Sequence, residues 1–157
     1  MTQGFFEMLS NVSSFVDILW YLGIPFNDTS PFRLAIPQAA QSILGNRLSG
    51  LQVGDQPDQY TLEGFRPYDY SPNDYAAEFG QLIDTMSNPQ NLTITDRSLQ
   101  SDDLIQASKI LIGPNIITGG WTPEMVWNTG FVDDYTDNLA ALSVEQFVFF
   151  SFSHRIS

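Results

Sequence analysis

The sequence predicts an α/β fold with a parallel sheet and crossover helices. Two observations carry this. Short apolar runs bounded by Gly or Pro alternate along the chain with segments of helical periodicity. The order reads helix–strand four times over, and alternation of that kind places helices between parallel strands.

Phe5, Met8, Leu9, Val12, Phe15 and Val16 fall at helical spacing and predict an amphipathic helix over 5–16. The run Ile18 to Ile24 ends at Gly and Pro and reads as a buried strand. Ser30-Pro31 offers an N-cap and a first-turn proline for a helix carrying Leu34, Ala39, Ala40, Ile43 and Leu44 and closing at Gly45. Pro37 would cost about 3 kcal/mol in a helix interior, so this helix starts near Pro37 or kinks there. Leu51–Gly54 is a second strand, leading into the loop Asp55 to Tyr60. Ser71-Pro72-Asn73-Asp74 has the form of a capping box, with Tyr75, Phe79, Leu82, Ile83 and Met86 on one face of the helix it starts. Residues 87–108 are polar and loop-like, Lys109–Gly113 is a third strand, and Thr122-Pro123-Glu124 starts a helix running through Phe131. Leu139 to Val144 gives a fourth strand, followed by Glu145. The pattern is compatible with a doubly wound sheet and with a (β/α)8 barrel.

With 157 residues, 43% hydrophobic and 15% charged, the chain suits one globular domain. Its net charge is −12, and the six basic residues (Arg33, Arg47, Arg66, Arg97, Lys109, Arg155) are scattered. No basic stripe is available for phosphates, which argues against nucleic acid and against anionic membranes as partners. No apolar run approaches the roughly 20 residues that span a bilayer. The absence of Cys excludes disulfides and thiolate ligands, and one His gives a transition metal little to bind, so no cofactor is expected. No basic region followed by an apolar stretch opens the chain, so no signal peptide is read and the compartment stays open. Asn11, Asn27 and Asn91 lie in glycosylation sequons that matter only in a secretory setting.

The functionally informative stretch is Gly54-Asp55-Gln56-Pro57-Asp58-Gln59-Tyr60, at the C-terminal end of a predicted strand. With it go Trp20–Pro25 followed by Asn27-Asp28-Thr29, Leu51–Gly54, Arg66-Pro67, Tyr75 to Phe79, Ile112-Gly113-Pro114, Trp121–Glu124, Val126–Phe131 and Leu142–Glu145. Together these segments resemble glycoside hydrolases of family 79, the fungal-type β-glucuronidase and heparanase-like group. The resemblance covers residues 1–146. It implies a partial (β/α)8 TIM barrel, about strands 3 to 6 of the parent, from a secreted family that hydrolyses O-glycosides such as β-glucuronides with retention. Residues 147–157 form a Phe/Ser-rich tail without resemblance to the family. The tail, which contains His154, reads as translated non-coding sequence, and transcript sequencing tests that.

In the family the fourth strand ends in Gly-Asn-Glu-Pro-Asp, the Glu being the general acid/base and the Asn a sugar-orienting group. Here Asp55 stands in the Asn position and Gln56 in the acid/base position. A retaining glycosidase needs two carboxyl groups about 5–5.5 Å apart, one of which gives and takes a proton. A glutamine amide cannot do that. By the same registration the strand supplying the nucleophile is missing, and the chain is expected to be inactive. Asp55, Asp58, Tyr60 and Glu145 are candidate substrate-binding residues, with a uronic-acid glycoside as the implied ligand. Asp55, next to Gln56, is expected to point to the opposite side. Asp58 is read first as a brace of its loop. Arg66 is read first as a salt-bridge residue and second as a carboxylate clamp. Trp121 and Trp127 are read as core before sugar stacking. The alternatives to a barrel fragment are a sugar-binding pseudoenzyme and a truncated gene product without function. Open sheet edges would favour self-association.

Overall fold

The computed structural model describes residues 3–87, 110–117 and 120–145. Four strands, β1 (Trp20–Ile24), β2 (Leu48–Val53), β3 (Leu111–Ile116) and β4 (Leu139–Val144), form one sheet in the order β1-β2-β3-β4, and every pairing is parallel. Among the described residues five α-helices accompany them: α1 (Gln3–Val16), α2 (Ala35–Leu44), α3 (Pro72–Ser87), α4 (Pro123–Trp127) and α5 (Phe131–Asp134). The α/β class with a parallel sheet is therefore as the periodicity predicts. The stretch 87–108, expected to be loop-like, and the tail at 147–157 lie outside the described residues, apart from Ser87, which ends α3.

A single core lies on one face of the sheet. Ile24, Leu51, Val53 and Leu111 enter it from the strands, Phe6 and Leu9 from α1, Ala40 and Leu44 from α2, and Tyr75, Phe79, Leu82 and Met86 from α3. Val126 and Phe131 join from α4 and α5. The opposite face carries Tyr21, Gly50, Gln52 and Ile112. A Cβ built on Gly50 would meet Ile112 and Tyr21 at 2.9 Å, so these three share a side, and only glycine lets both side chains lie over β2. Tyr21 remains 63% exposed there. Helices on both faces, as a doubly wound sheet requires, are not seen among the described residues.

Local chemistry fixes the helix starts. The Ser71 backbone N–H donates to Asp74 Oδ2 at 2.8 Å and the Ser71 hydroxyl to the same oxygen at 2.6 Å, while the Asp74 N–H reaches back to Ser71 Oγ at 3.4 Å. That is the reciprocal box read from the sequence. Thr122 caps α4 by accepting from the Met125 N–H at 3.2 Å.

Three expectations need correction. Ser30-Pro31 does not open a helix; the peptide bond is cis within a turn, and α2 starts at Ala35, which leaves Pro37 in the first turn, where a missing N–H costs nothing. The helix after Thr122 does not reach Phe131 unbroken, because Gly130 at φ 81° separates α4 from α5. The third correction concerns the face of α1. The buried residues are Phe6, Leu9 and Ser13, whereas Phe15 is 85% exposed and Met8, Val12 and Val16 also face solvent. A polar anchor decides the rotation: the Trp20 indole N–H donates to Ser13 Oγ at 2.6 Å, and the Ser13 hydroxyl donates to the Leu9 carbonyl at 2.9 Å. Apolar spacing could not see that bond.

Aromatic rings dominate the core between α3, α5 and the loop after β2. Tyr75 lies 5.5 Å from Phe26, 6.1 Å from Trp121 and 5.7 Å from Phe131 between centroids. Burial pushes the Tyr60 hydroxyl up to about 12 and raises Tyr70, Tyr75 and Tyr135 as well. Unfolded tyrosines ionise near pH ~10, so the unfolded chain loses these protons first. Stability should be fully present below about pH 10 and fall as the pH rises toward about 12, the value reached by Tyr60. Melting temperatures measured across that range check this; a flat profile contradicts it.

Candidate functional site

The C-terminal ends of β2, β3 and β4 bring five polar side chains together. The chain leaves β2 through Gly54 at φ 76° and Gln56 at φ 49°. Gly54 is required twice over: a Cβ there would lie 2.8 Å from the Tyr60 hydroxyl and 3.0 Å from Phe26 Cβ, and its φ disfavours any side chain. Gln56 pays a strain of roughly 1–2 kcal/mol for a left-handed backbone that non-glycine residues seldom adopt. Two successive departures from strand geometry abolish the alternation expected of Asp55 and Gln56. Both side chains reach the same cluster.

Asn115, near the end of β3 and 8% exposed, is the centre of that cluster. Its Nδ2 donates to Asp55 Oδ1 at 2.9 Å and to Glu145 Oε1 at 2.6 Å. Its Oδ1 accepts from the Ser143 hydroxyl at 2.8 Å. Gln56 Nε2 donates to the other oxygen of Glu145 at 3.3 Å. The backbone holds the same elements: the Gln56 N–H donates to the Asn115 carbonyl at 2.9 Å and the Glu145 N–H to the Ile116 carbonyl at 2.8 Å. Asp55 is exposed and Gln56 and Glu145 are half-buried, so the cluster opens to solvent.

The other expected site residues are placed differently. Asp58 is 6% exposed and turns its carboxylate toward the backbone N–H groups of Ile117 at 3.4 Å and Gly120 at 3.5 Å. It ties the β2 loop to the segment after β3. Tyr60 is 3% exposed beneath Gly54, with its hydroxyl bonded to the Asp55 backbone. It supports the loop from below. Arg66 is fully engaged: Nε and Nη2 hold the two oxygens of Glu78 at 2.9 and 3.1 Å, and Nη1 and Nη2 donate to the carbonyls of Asn27 and Phe26 at 2.7 and 2.9 Å. Its guanidinium also sits 5.7 Å from the Tyr60 ring centre and 5.4 Å from that of Tyr70. Trp121 is buried against Tyr70 and Tyr75, and Trp127 is exposed. A cavity of about 430 Å³ lies away from the rim, between Arg66, Asp69, Tyr70, Asp74, Glu78 and Gln81. Its principal charges, Arg66, Asp74 and Glu78, are already paired or capping.

Asn115 and Ser143 were missed by the sequence reading. The expected third strand ended at Gly113, which put Asn115 in a loop; the apolar pair Ile116-Ile117 beyond it was the available signal that the strand continues.

Chemically, the cluster holds two carboxylates, two amides and a hydroxyl. The position read as an acid/base carries an amide that points its N–H at a carboxylate. Asp55 and Glu145 are close enough to share one nitrogen, Asn115 Nδ2. Among the described residues there is no group of three or more His, Cys, Asp or Glu arranged to hold a metal ion. No described helix is long and apolar enough to cross a membrane.

The chain matches no protein-family model and no curated protein sequence.

Proposed function

We propose that this chain is part of a family 79-like glycoside hydrolase barrel, about its strands 3 to 6, and that its rim binds glycosides without hydrolysing them. Parallel strands in sequential order, a core on one face and polar side chains at the C-terminal strand ends all accord with a barrel segment, whose chemistry is built on that rim. The observation that carries the reading is the hydrogen bond from Gln56 Nε2 to Glu145 Oε2. On this reading the side chain in the acid/base position is a non-ionisable amide engaged by the rim carboxylate, and it has no proton to give a glycosidic oxygen. Removing a general acid costs roughly 10²–10⁴ in rate. The carbohydrate partner and the secreted origin of the parent family belong to the same proposal.

The purified chain should show no detectable hydrolysis of a chromogenic β-glucuronide, and the double change Asp55→Asn with Gln56→Glu should not restore it in this chain. Turnover by the unchanged protein that disappears in Glu145→Gln would overturn the assignment, because it would make Glu145 a working catalytic carboxylate.

A further inference from the structure

We infer that the open sheet is one half of a two-fold closed barrel, in which a second copy of this chain sets its β1 against β4 and its β4 against β1. The inference rests on the reading of the sheet as a barrel segment and adds what covers it.

Two features of the sheet call for a cover. Among the described residues the outer strands, β1 and β4, are each paired on one side only. Free edges are normally blunted by charge or proline. In a chain with 18 acidic residues, β1 and β4 carry no charged residue and no proline. The second feature is the face without helices. Gly23 of β1 is in register with Gln52, Gln52 with Ile112 and Ile112 with Ala141, so one uncharged row crosses that face from edge to edge. Gln52, its polar member, donates to the carbonyls of Gly54 at 3.3 Å and Gly113 at 2.7 Å, so covering it leaves neither amide hydrogen unpaired.

Geometry, strand number and area point to a second copy. The two edges lie at opposite ends of one all-parallel sheet. A partner that satisfies both at once offers the same two edges running the same way, and a two-fold axis along the strands supplies it. Every new pairing is then parallel and no edge is left. Two such sheets give eight strands, about the number at which side chains just fill a barrel interior. Gly23, Gly50 and Ala141 leave room for Tyr21 and Ile112 from across that interior, the mixture of small and large residues that small barrels use. A face of four strands about 17 Å long and about 4.8 Å apart, with two edges about 10 Å thick, offers roughly 700 Å², close to the roughly 800 Å² a side of a stable interface. Closure puts the polar clusters of both copies on one rim, with Glu145 beside the partner's β1.

The test is sedimentation equilibrium of the whole chain at physiological salt, where repulsion between two copies of charge −12 is screened. The expected species is a dimer of twice 17.6 kDa that does not grow with concentration. Ala141→Lys and, on the other edge strand, Tyr21→Lys each place a charge on the face without helices. Both positions are exposed, so near-ultraviolet dichroism should still report a folded chain. The dimer dissociation constant should rise roughly 100-fold or more in either variant, because closure would bury an unpaired ammonium in each copy. Phe15→Lys, on the exposed side of α1, should leave the constant unchanged. A folded monomer, its face bare or covered from within its own chain, overturns the inference. So does a dimer that Phe15→Lys breaks and the other two variants spare, which places the contact on α1. A ladder of larger oligomers also overturns it, since that is growth through the same edges without closure. None of these results removes the reading of the chain as a barrel segment with an inert rim, which the glucuronide assay tests by itself.

Discussion

Arg66→Ala is expected to lower the unfolding free energy by about 3–5 kcal/mol, a large share of the roughly 5–15 kcal/mol typical of a domain. The Arg66 side chain is 9% exposed and that of Glu78 19%, so both charges have largely left water. The guanidinium bridges Glu78 and the carbonyls of Phe26 and Asn27, and thereby ties the loop after β1 and the loop after β2 to α3. Truncation strands a carboxylate that keeps the Tyr70 hydroxyl, at 2.8 Å, and frees three carbonyls, those of Phe26, Asn27 and the exposed Phe65. Arg66→Lys should recover only part of the loss, since an ammonium cannot reproduce the fork. Replacing both partners at once, Arg66→Met with Glu78→Leu, should cost much less than Arg66→Ala, because no buried charge is left alone. Urea unfolding of the four proteins decides it. A loss under about 1 kcal/mol in Arg66→Ala would put the pair in the class of ordinary surface ion pairs.

Tyr75→Ala should do comparable damage, about 3–5 kcal/mol, by a different route. The ring is fully buried and touches Phe26, Phe79, Trp121 and Phe131, so its removal opens a cavity where α3, α5 and the two loops meet. Its hydroxyl donates to the Val53 carbonyl at 2.8 Å, one residue before the left-handed turn that aims Asp55 and Gln56. Tyr75→Phe separates the two contributions: the ring stays, one buried carbonyl loses its donor, and the cost should be about 1 kcal/mol. Thermal unfolding read by near-ultraviolet dichroism follows both. Equal losses in the two variants would assign the effect to the hydrogen bond and not to the ring.

The strands and the α3 box were legible because their signals are local. Apolar runs closed by Gly or Pro mark the cores of β1 and β2, the apolar run from Leu139 to Val144 marks β4, and Ser71 with Asp74 states a helix start within four residues. What escaped was non-local or exceptional. Pro114 hid the second half of β3, since a proline seldom sits in a central strand; here the β3–β4 register is irregular between Ile112 and Asn115, which absorbs the missing donor. With β3 cut short, Asn115 had no place on the rim. The polar cluster itself joins residues 60 and 30 positions apart in the chain, and no periodicity reports such a meeting. The face of α1 escaped because the helix is apolar on two sides and one indole hydrogen bond breaks the tie.

Strand order that copies chain order has a kinetic meaning. Each new strand adds beside the one before it, so the sheet can assemble from the N-terminal side as the chain is synthesised. The unit β1–α2–β2 closes over a short stretch, and so does β3–α4–α5–β4. Joining the two halves requires β2 to find β3 across the segment from Val53 to Leu111, the longest between consecutive strands. Chain-closure entropy grows with that length, and little β-pairing rewards it at first: Leu51 and Gln52 are the β2 residues with paired partners in β3. The polar contacts of Asn115 with Asp55 and Glu145 form across this junction and the next. The rim should therefore be the last part of the molecule to form in folding and the first to open in unfolding.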